Sequence, residues 1–206
     1  REDALALLGD IDGDGTVEVA VGYPHARRAD GTRTGSVFLA SLTTDGTTVS
    51  ARRIDVHDGT FRGVLEDGAR FGSSLAALGD LDGDGVVDLA VGSPGDSEAG
   101  DSTDSRQGAI WILFLARDLT VKSAQKIDTQ QGGFPGLLSE GDELGRALAG
   151  VGDMDGDGVL DFVTGKRWFA HNGGDPGGME PAVLYWFRTV RGGAPGVVSF
   201  EPHFID

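Results

Sequence analysis

Asp10, Asp12, Asp14 and Glu18 stand at positions 1, 3, 5 and 9 of an acidic phrase that recurs twice more in the chain. The second copy supplies Asp80, Asp82, Asp84 and Asp88, and the third Asp153, Asp155, Asp157 and Asp161, with Gly at positions 4 and 6 throughout. Carboxylate oxygens are hard anionic donors. This spacing lets a tight loop turn them onto one Ca²⁺, with the carbonyl of position 7 as a further donor. The competing reading is an Asp-Gly hairpin turn whose carboxylates cap their own backbone. Four carboxylates per loop weigh against it, because an empty site would crowd like charges at short range. With a Kd of about 10⁻⁴ M and Ca²⁺ near 10⁻³ M, each ion adds roughly 1.4 kcal/mol of stability. The chemistry is therefore structural and not catalytic.

The phrases begin 70 and 73 residues apart, so they belong to a repeating unit. In the second copy, Leu75 to Asp80 and Val87 to Gly92 flank the acidic turn as short apolar stretches, which predicts a hairpin with the metal at its tip. Gly108 to Ala116 is a continuous apolar run, expected of a strand buried on both faces, and Val121 to Asp128 alternates like an outer strand. The first copy repeats the pattern as Leu5–Gly9, Val17–Gly22, Gly35–Ser41 and Val49–Asp55; the third as Leu144–Gly152, Leu160–Gly165, Pro181–Val190 and Val197–Asp206. Four antiparallel strands at a fixed period predict an all-β chain of three four-stranded β-propeller blades, a partial propeller, over residues 1–70, 71–143 and 144–206. A sandwich of about twelve strands is the alternative. Helix content is expected near zero. An EF-hand is excluded: position 12 is Val21, Val91 or Thr164 where that loop needs a bidentate Glu, and the flanks are not amphipathic helices.

Composition narrows the function further. The net charge is −16, and the three phrases hold 12 of the 33 acids, so three bound Ca²⁺ would return six positive charges. No basic stripe exists to neutralise phosphates, which excludes nucleic acid as a natural partner. The chain has no cysteine, hence no disulfide or thiolate site, which leaves secretion open because a metal-stapled fold needs no disulfide. The longest apolar run, Ala109 to Ala116, is too short to cross a bilayer as a helix, so no transmembrane segment is expected. His25, His57, His171 and His203 are scattered, and no His-Glu-x-x-His, nucleophile-elbow or phosphate-loop pattern accompanies them. The chain is not expected to be an enzyme.

Phe71-Gly-Ser-Ser-Leu-Ala-Ala-Leu-Gly-Asp-Leu-Asp-Gly-Asp-Gly-Val-Val-Asp-Leu-Ala-Val-Gly-Ser-Pro94 resembles the FG-GAP repeat of integrin α-subunit propellers and their bacterial relatives. The first copy keeps Gly22-Tyr-Pro24, and the third has Leu144-Gly145 for Phe-Gly and lacks the closing proline. The resemblance implies three Ca²⁺ sites: Asp10, Asp12, Asp14, Glu18 and the Thr16 carbonyl; Asp80, Asp82, Asp84, Asp88 and the Val86 carbonyl; Asp153, Asp155, Asp157, Asp161 and the Val159 carbonyl. Glu18 departs from the usual Asp, which makes its site the expected weakest.

Family members close seven blades into a ring, with the calcium loops on one face and partner contacts from loops on the other. Three blades cannot close a ring. The chain is therefore expected to be a segment of a longer one, or to close with sister chains, and to be sticky or oligomeric alone. Candidate partner contacts are Arg27 and Arg28 in the first long loop, and Trp168, Phe169 and His171 in the third; the second carries Asp96, Glu98, Asp101 and Asp104. The implied function is an extracellular or cell-surface module for protein or glycan binding or adhesion. The alternatives are a structural repeat of a large secreted or surface assembly and a non-catalytic appendage of a secreted enzyme.

Overall fold

The computed structural model describes residues 4–57, 59–97, 106–134, 138, 140–165, 184–193 and 196–205. Among these, the regular structure is twelve strands and no helix. Strands β1 (Leu5–Gly9), β2 (Val17–Tyr23), β3 (Ser36–Leu42) and β4 (Thr48–Ile54) form the first sheet. The second holds β5 (Ser74–Ala77), β6 (Leu89–Ser93), β7 (Ala109–Leu115) and β8 (Val121–Ile127); the third holds β9 (Leu148–Gly152), β10 (Asp161–Gly165), β11 (Leu184–Arg191) and β12 (Val198–Ile205). Each sheet is an antiparallel meander in chain order. The chain is thus all-β, three propeller blades in an arc that does not close.

Side-chain alternation along the central strand explains why the sheets stack. All seven residues of β7 are buried. Trp111, Leu113 and Leu115 point into a core shared with the first sheet, where they meet Val37, Leu39 and Ile54. Ile110, Ile112 and Phe114 point the other way, into a core with Phe162, Phe187 and Phe200 of the third sheet. Each such side chain contributes about 1.5–3 kcal/mol on burial, so the two seams hold the array together. The connection before β5 reinforces the first seam: Phe61 stacks on Phe71 at 5.1 Å and meets Trp111 edge-on at 5.2 Å.

The opening and closing glycines of the repeat meet across each seam. A Cβ on Gly22 would lie 2.0 Å from the Gly72 carbonyl oxygen, and one on Gly92 would lie 1.9 Å from that of Gly145. Only hydrogen fits in either gap. Beside them, Phe71 N–H donates to the Thr34 carbonyl (2.9 Å) and Leu144 N–H to that of Gln107 (3.0 Å), as parallel bridges pair Gly35 with Phe71 and Gly108 with Leu144.

This use of Leu144 explains one departure from expectation. The strand expected from Leu144 begins only at Leu148, because Leu144 is bound into the seam with the preceding sheet. The expected strand from Val87 begins at Leu89, because Asp88 is drawn into the acidic turn, its N–H donating to the Gly79 carbonyl at 2.7 Å. At the outer face of the first sheet Leu5 and Leu7 are 71% and 66% exposed.

Candidate metal centres

Each acidic phrase forms the turn between the first two strands of its sheet. Glycines at positions 4 and 6 all take left-handed backbone, with φ between +79° and +88°, a region that costs a side-chain-bearing residue about 1–2 kcal/mol. That curl aims the loop's N–H groups inward. Asp10 accepts them from Gly13 (2.7 Å), Asp14 (3.1 Å) and Gly15 (3.1 Å). Asp80 and Asp153 repeat the same three bonds within 0.2 Å. Position 5 accepts from the N–H of position 7 in all three loops. The backbone-capping bonds of the competing reading are thus present in all three loops, and they fix the orientation of the carboxylates.

Position 9 anchors the loop from below. Asp88 is fully buried and accepts from Leu81 N–H (2.8 Å) and from Leu115 N–H on β7 (3.0 Å). Asp161 does the same with Met154 (3.1 Å) and Thr189 on β11 (2.9 Å). Glu18 keeps the first bond, from Ile11 at 2.8 Å, but its other oxygen takes the Thr16 hydroxyl at 3.0 Å. The extra methylene thus shifts the second anchor from the neighbouring strand to the loop itself.

Carboxylate oxygens of positions 1, 3 and 9 converge in every copy. In Asp10–Asp12–Glu18, Asp80–Asp82–Asp88 and Asp153–Asp155–Asp161 they lie within 4.8 Å of one another. Position 5 lies outside these trios: Asp14 also accepts the Thr16 hydroxyl (2.6 Å), while Asp84 pairs with Lys122 and Asp157 with Arg188. A hard divalent cation fits the trios. Asp82 Oδ1 is buried with no hydrogen-bond partner, a costly state that a cation would relieve.

The titration of the loops follows from the same contacts. Burial pushes the Asp88 carboxyl up to about 7, against the pull of the Leu81 and Leu115 N–H groups and with help from the nearby Asp82 charge. Asp14 is held below the usual range by the Thr16 hydroxyl and N–H, and Asp153 by the Gly158, Gly156 and Asp157 N–H groups. At Asp84 burial pushes upward, but Lys122 and the Val86 N–H outweigh it.

Three basic residues reach the loops from distant sequence. Lys122 Nζ lies 2.8 Å from Asp82 Oδ2 and also bonds Asp84. Arg188 bonds Asp155, sits 3.7 Å from Asp157 and 3.4 Å from Glu201. Arg191 crosses the second seam to donate to the Leu81 carbonyl at 2.9 Å and to that of Asp80. No local pattern announces these contacts. The one trace is compositional: Lys122 is one of only three lysines in the chain.

The candidate partner residues fare differently. Arg27 donates to the Gly31 carbonyl (3.0 Å) within its own loop, while Arg28 donates to His57 Nε2 (3.1 Å) on the connection after β4 and has Asp30 at 3.9 Å. Asp96 pairs with Lys126 at 2.7 Å. Trp168, Phe169 and His171, like Glu98, Asp101 and Asp104, lie outside the described residues. Among the described residues no helix is long and apolar enough to cross a membrane.

Four-stranded blades stacked through buried faces, each with an acidic loop on its first hairpin, define a propeller-repeat protein. The FG-GAP repeat pattern matches residues 4–39 and 71–113, and the chain carries FG-GAP repeats. It is 31% identical to integrin alpha-X of Mus musculus over 165 residues, which cover 77% of this chain and 12% of that protein. It is 29% identical to integrin alpha-11 of Homo sapiens over 199 residues, 96% of this chain and 14% of the relative. With integrin alpha pat-2 of Caenorhabditis briggsae it shares 38% over 104 residues, 50% of this chain and 8% of the relative. The chain therefore spans about an eighth of the length of the curated relatives it matches.

Proposed function

We propose that each acidic loop holds one Ca²⁺ through its position 1, 3, 5 and 9 carboxylates and the carbonyl of Thr16, Val86 or Val159. Bound Ca²⁺ supplies two positive charges to a cluster of four acids and no chemistry beyond that. The observation that carries this reading is the threefold recurrence of one converging trio, joined in the second loop by a buried, unpartnered Asp82 oxygen. The units are residues 1–70, 71–143 and 144–206, and the blades serve as a rigid extracellular or cell-surface scaffold. Similarity to integrin α subunits supports a protein- or glycan-binding, adhesion-type role for it.

Thermal unfolding with calcium and with chelator tests the metal. Three sites at roughly 1.4 kcal/mol each give about 4 kcal/mol, or a Tm rise on the order of 10 °C. A Tm that ignores calcium would remove the reading. A second role, packing inside a larger assembly, is favoured by the exposed Leu5 and Leu7. Sedimentation of the calcium-loaded chain, beside a pull-down and a glycan array, separates the two. Self-association with no captured ligand favours assembly, and a monodisperse chain that captures a ligand favours the binding module.

A further inference from the structure

The three loops share one acidic pattern yet differ in what stands beside it. The Lys122 ammonium sits on the position 3 and 5 carboxylates of the second loop, and the Arg188 guanidinium on the same two positions of the third. Among the described residues, no basic side chain pairs with the carboxylates of the first loop.

The strands that supply these cations also differ. Lys122 is the extra residue at an irregularity in the β7–β8 pairing, where Leu115 faces Val121 and Phe114 faces Ser123. Such a bulge re-aims its side chain. The first sheet has the same irregularity, with Leu42 facing Thr48 and Ser41 facing Ser50. Its extra residue is Val49, which is apolar and 59% exposed. Arg188 instead lies on the third strand, one residue before Thr189, whose N–H binds Asp161. The first sheet has Ser41 there, opposite Glu18 and bonded to the Ser50 hydroxyl at 2.9 Å. The second has Phe114, one residue before Leu115, whose N–H binds Asp88. Two residue types on two different strands thus converge on the same pair of carboxylates.

We propose that Lys122 and Arg188 are tethered counter-cations of the second and third loops, which calcium must displace, while the first loop binds calcium without such a competitor. The inference rests on the calcium reading above. In the calcium-free chain each tethered cation neutralises one charge of a crowded cluster. It coordinates incompletely: Lys122 engages Asp82 Oδ2 and leaves Oδ1 without a partner. A Ca²⁺ held by Asp82 would have to displace this ion pair. A bound state that competes with an intramolecular pair is weakened by whatever that pair contributes to the free state. Each ion pair thus lowers the calcium affinity of its own loop, as the longer Glu18 side chain is expected to do in the first.

Opposite signs in two measurements make the idea testable. Lys122→Met is expected to lower the Tm in chelator while tightening one of the three calcium sites about three- to tenfold, the scale of a partly shielded ion pair. Arg188→Met is expected to do the same at a different site, and neither should alter the remaining one. Calorimetric calcium titrations read the affinities. Lys122→Gln, shorter and uncharged but still polar, is run alongside so that a folding defect is recognised. Arg62→Met, an exposed residue on the connection before β5, controls for the charge change. Unchanged or weakened affinities in both variants, or equal tightening by Arg62→Met, would overturn the inference with the calcium sites intact. Failure of the wild-type chain to bind calcium would overturn the calcium reading itself.

Discussion

Lys126 shows how one residue is held by opposing effects. Its ammonium lies 2.7 Å from Asp96 and 3.0 Å from Asp128, and 5.7 Å from the centre of the Trp111 ring. Burial pulls its pKa down, but the two carboxylates outweigh burial and hold it above 10.5. Asp96 moves up, because burial, with help from the Asp128 and Glu66 charges, outweighs the pull of Lys126. A lysine whose folded pKa is raised stabilises the fold fully below its unfolded value and loses that contribution as pH climbs through the folded value. The Tm should therefore fall as pH climbs above the ordinary lysine range. Lys126→Met should flatten that limb and cost about 3 kcal/mol at neutral pH, since Asp96 is left buried and unpaired. Thermal melts across the pH series check both. At this scale the sequence showed only what is local. Positions 1, 3, 5 and 9 are contiguous in the chain and could be read from spacing, whereas Lys122, Arg188 and Arg191 reach the loops through strand order and register. The split of position 5 from the trios was equally hidden, because it depends on which partner each carboxylate finds.

Among the elements, β7 decides the architecture. Its unbroken apolar run reads as a doubly buried strand, and the structure divides it into two faces serving two separate cores. Trp111→Ala should cost about 3–5 kcal/mol. It should also raise amide exchange in the first two sheets while β10 and β11 stay protected, because Trp111 touches only the first seam. Loss of protection in all three sheets at once would show that the seams are not independent. All twelve strands were legible from short apolar stretches, turn residues and the repeat itself. Their ends were not, at β6 and β9, where Asp88 and Leu144 are claimed by the acidic turn and by the seam. Propensity cannot register a claim made by another sheet.

The whole molecule depends on how closely its sheets approach. Gly92→Ala would place a methyl group 1.9 Å from the Gly145 carbonyl oxygen and 2.2 Å from Ser74 Oγ, and backbone cannot yield as a side chain can. A loss of about 3 kcal/mol or more is expected. Gly193→Ala, with nothing within 4 Å and no left-handed backbone, should change stability by less than about 0.5 kcal/mol. Chemical denaturation of both variants in calcium checks the pair. Both junctions in this chain are made at their narrowest point of main chain against main chain, Gly22 on Gly72 and Gly92 on Gly145. Peptide atoms are alike in every copy, so the fit there asks little of the surrounding residues beyond their having no side chain. A duplicated copy arriving in such a gene would meet its neighbour with a working contact already in place. Copy number could then change by whole units while the loops at either rim diverged.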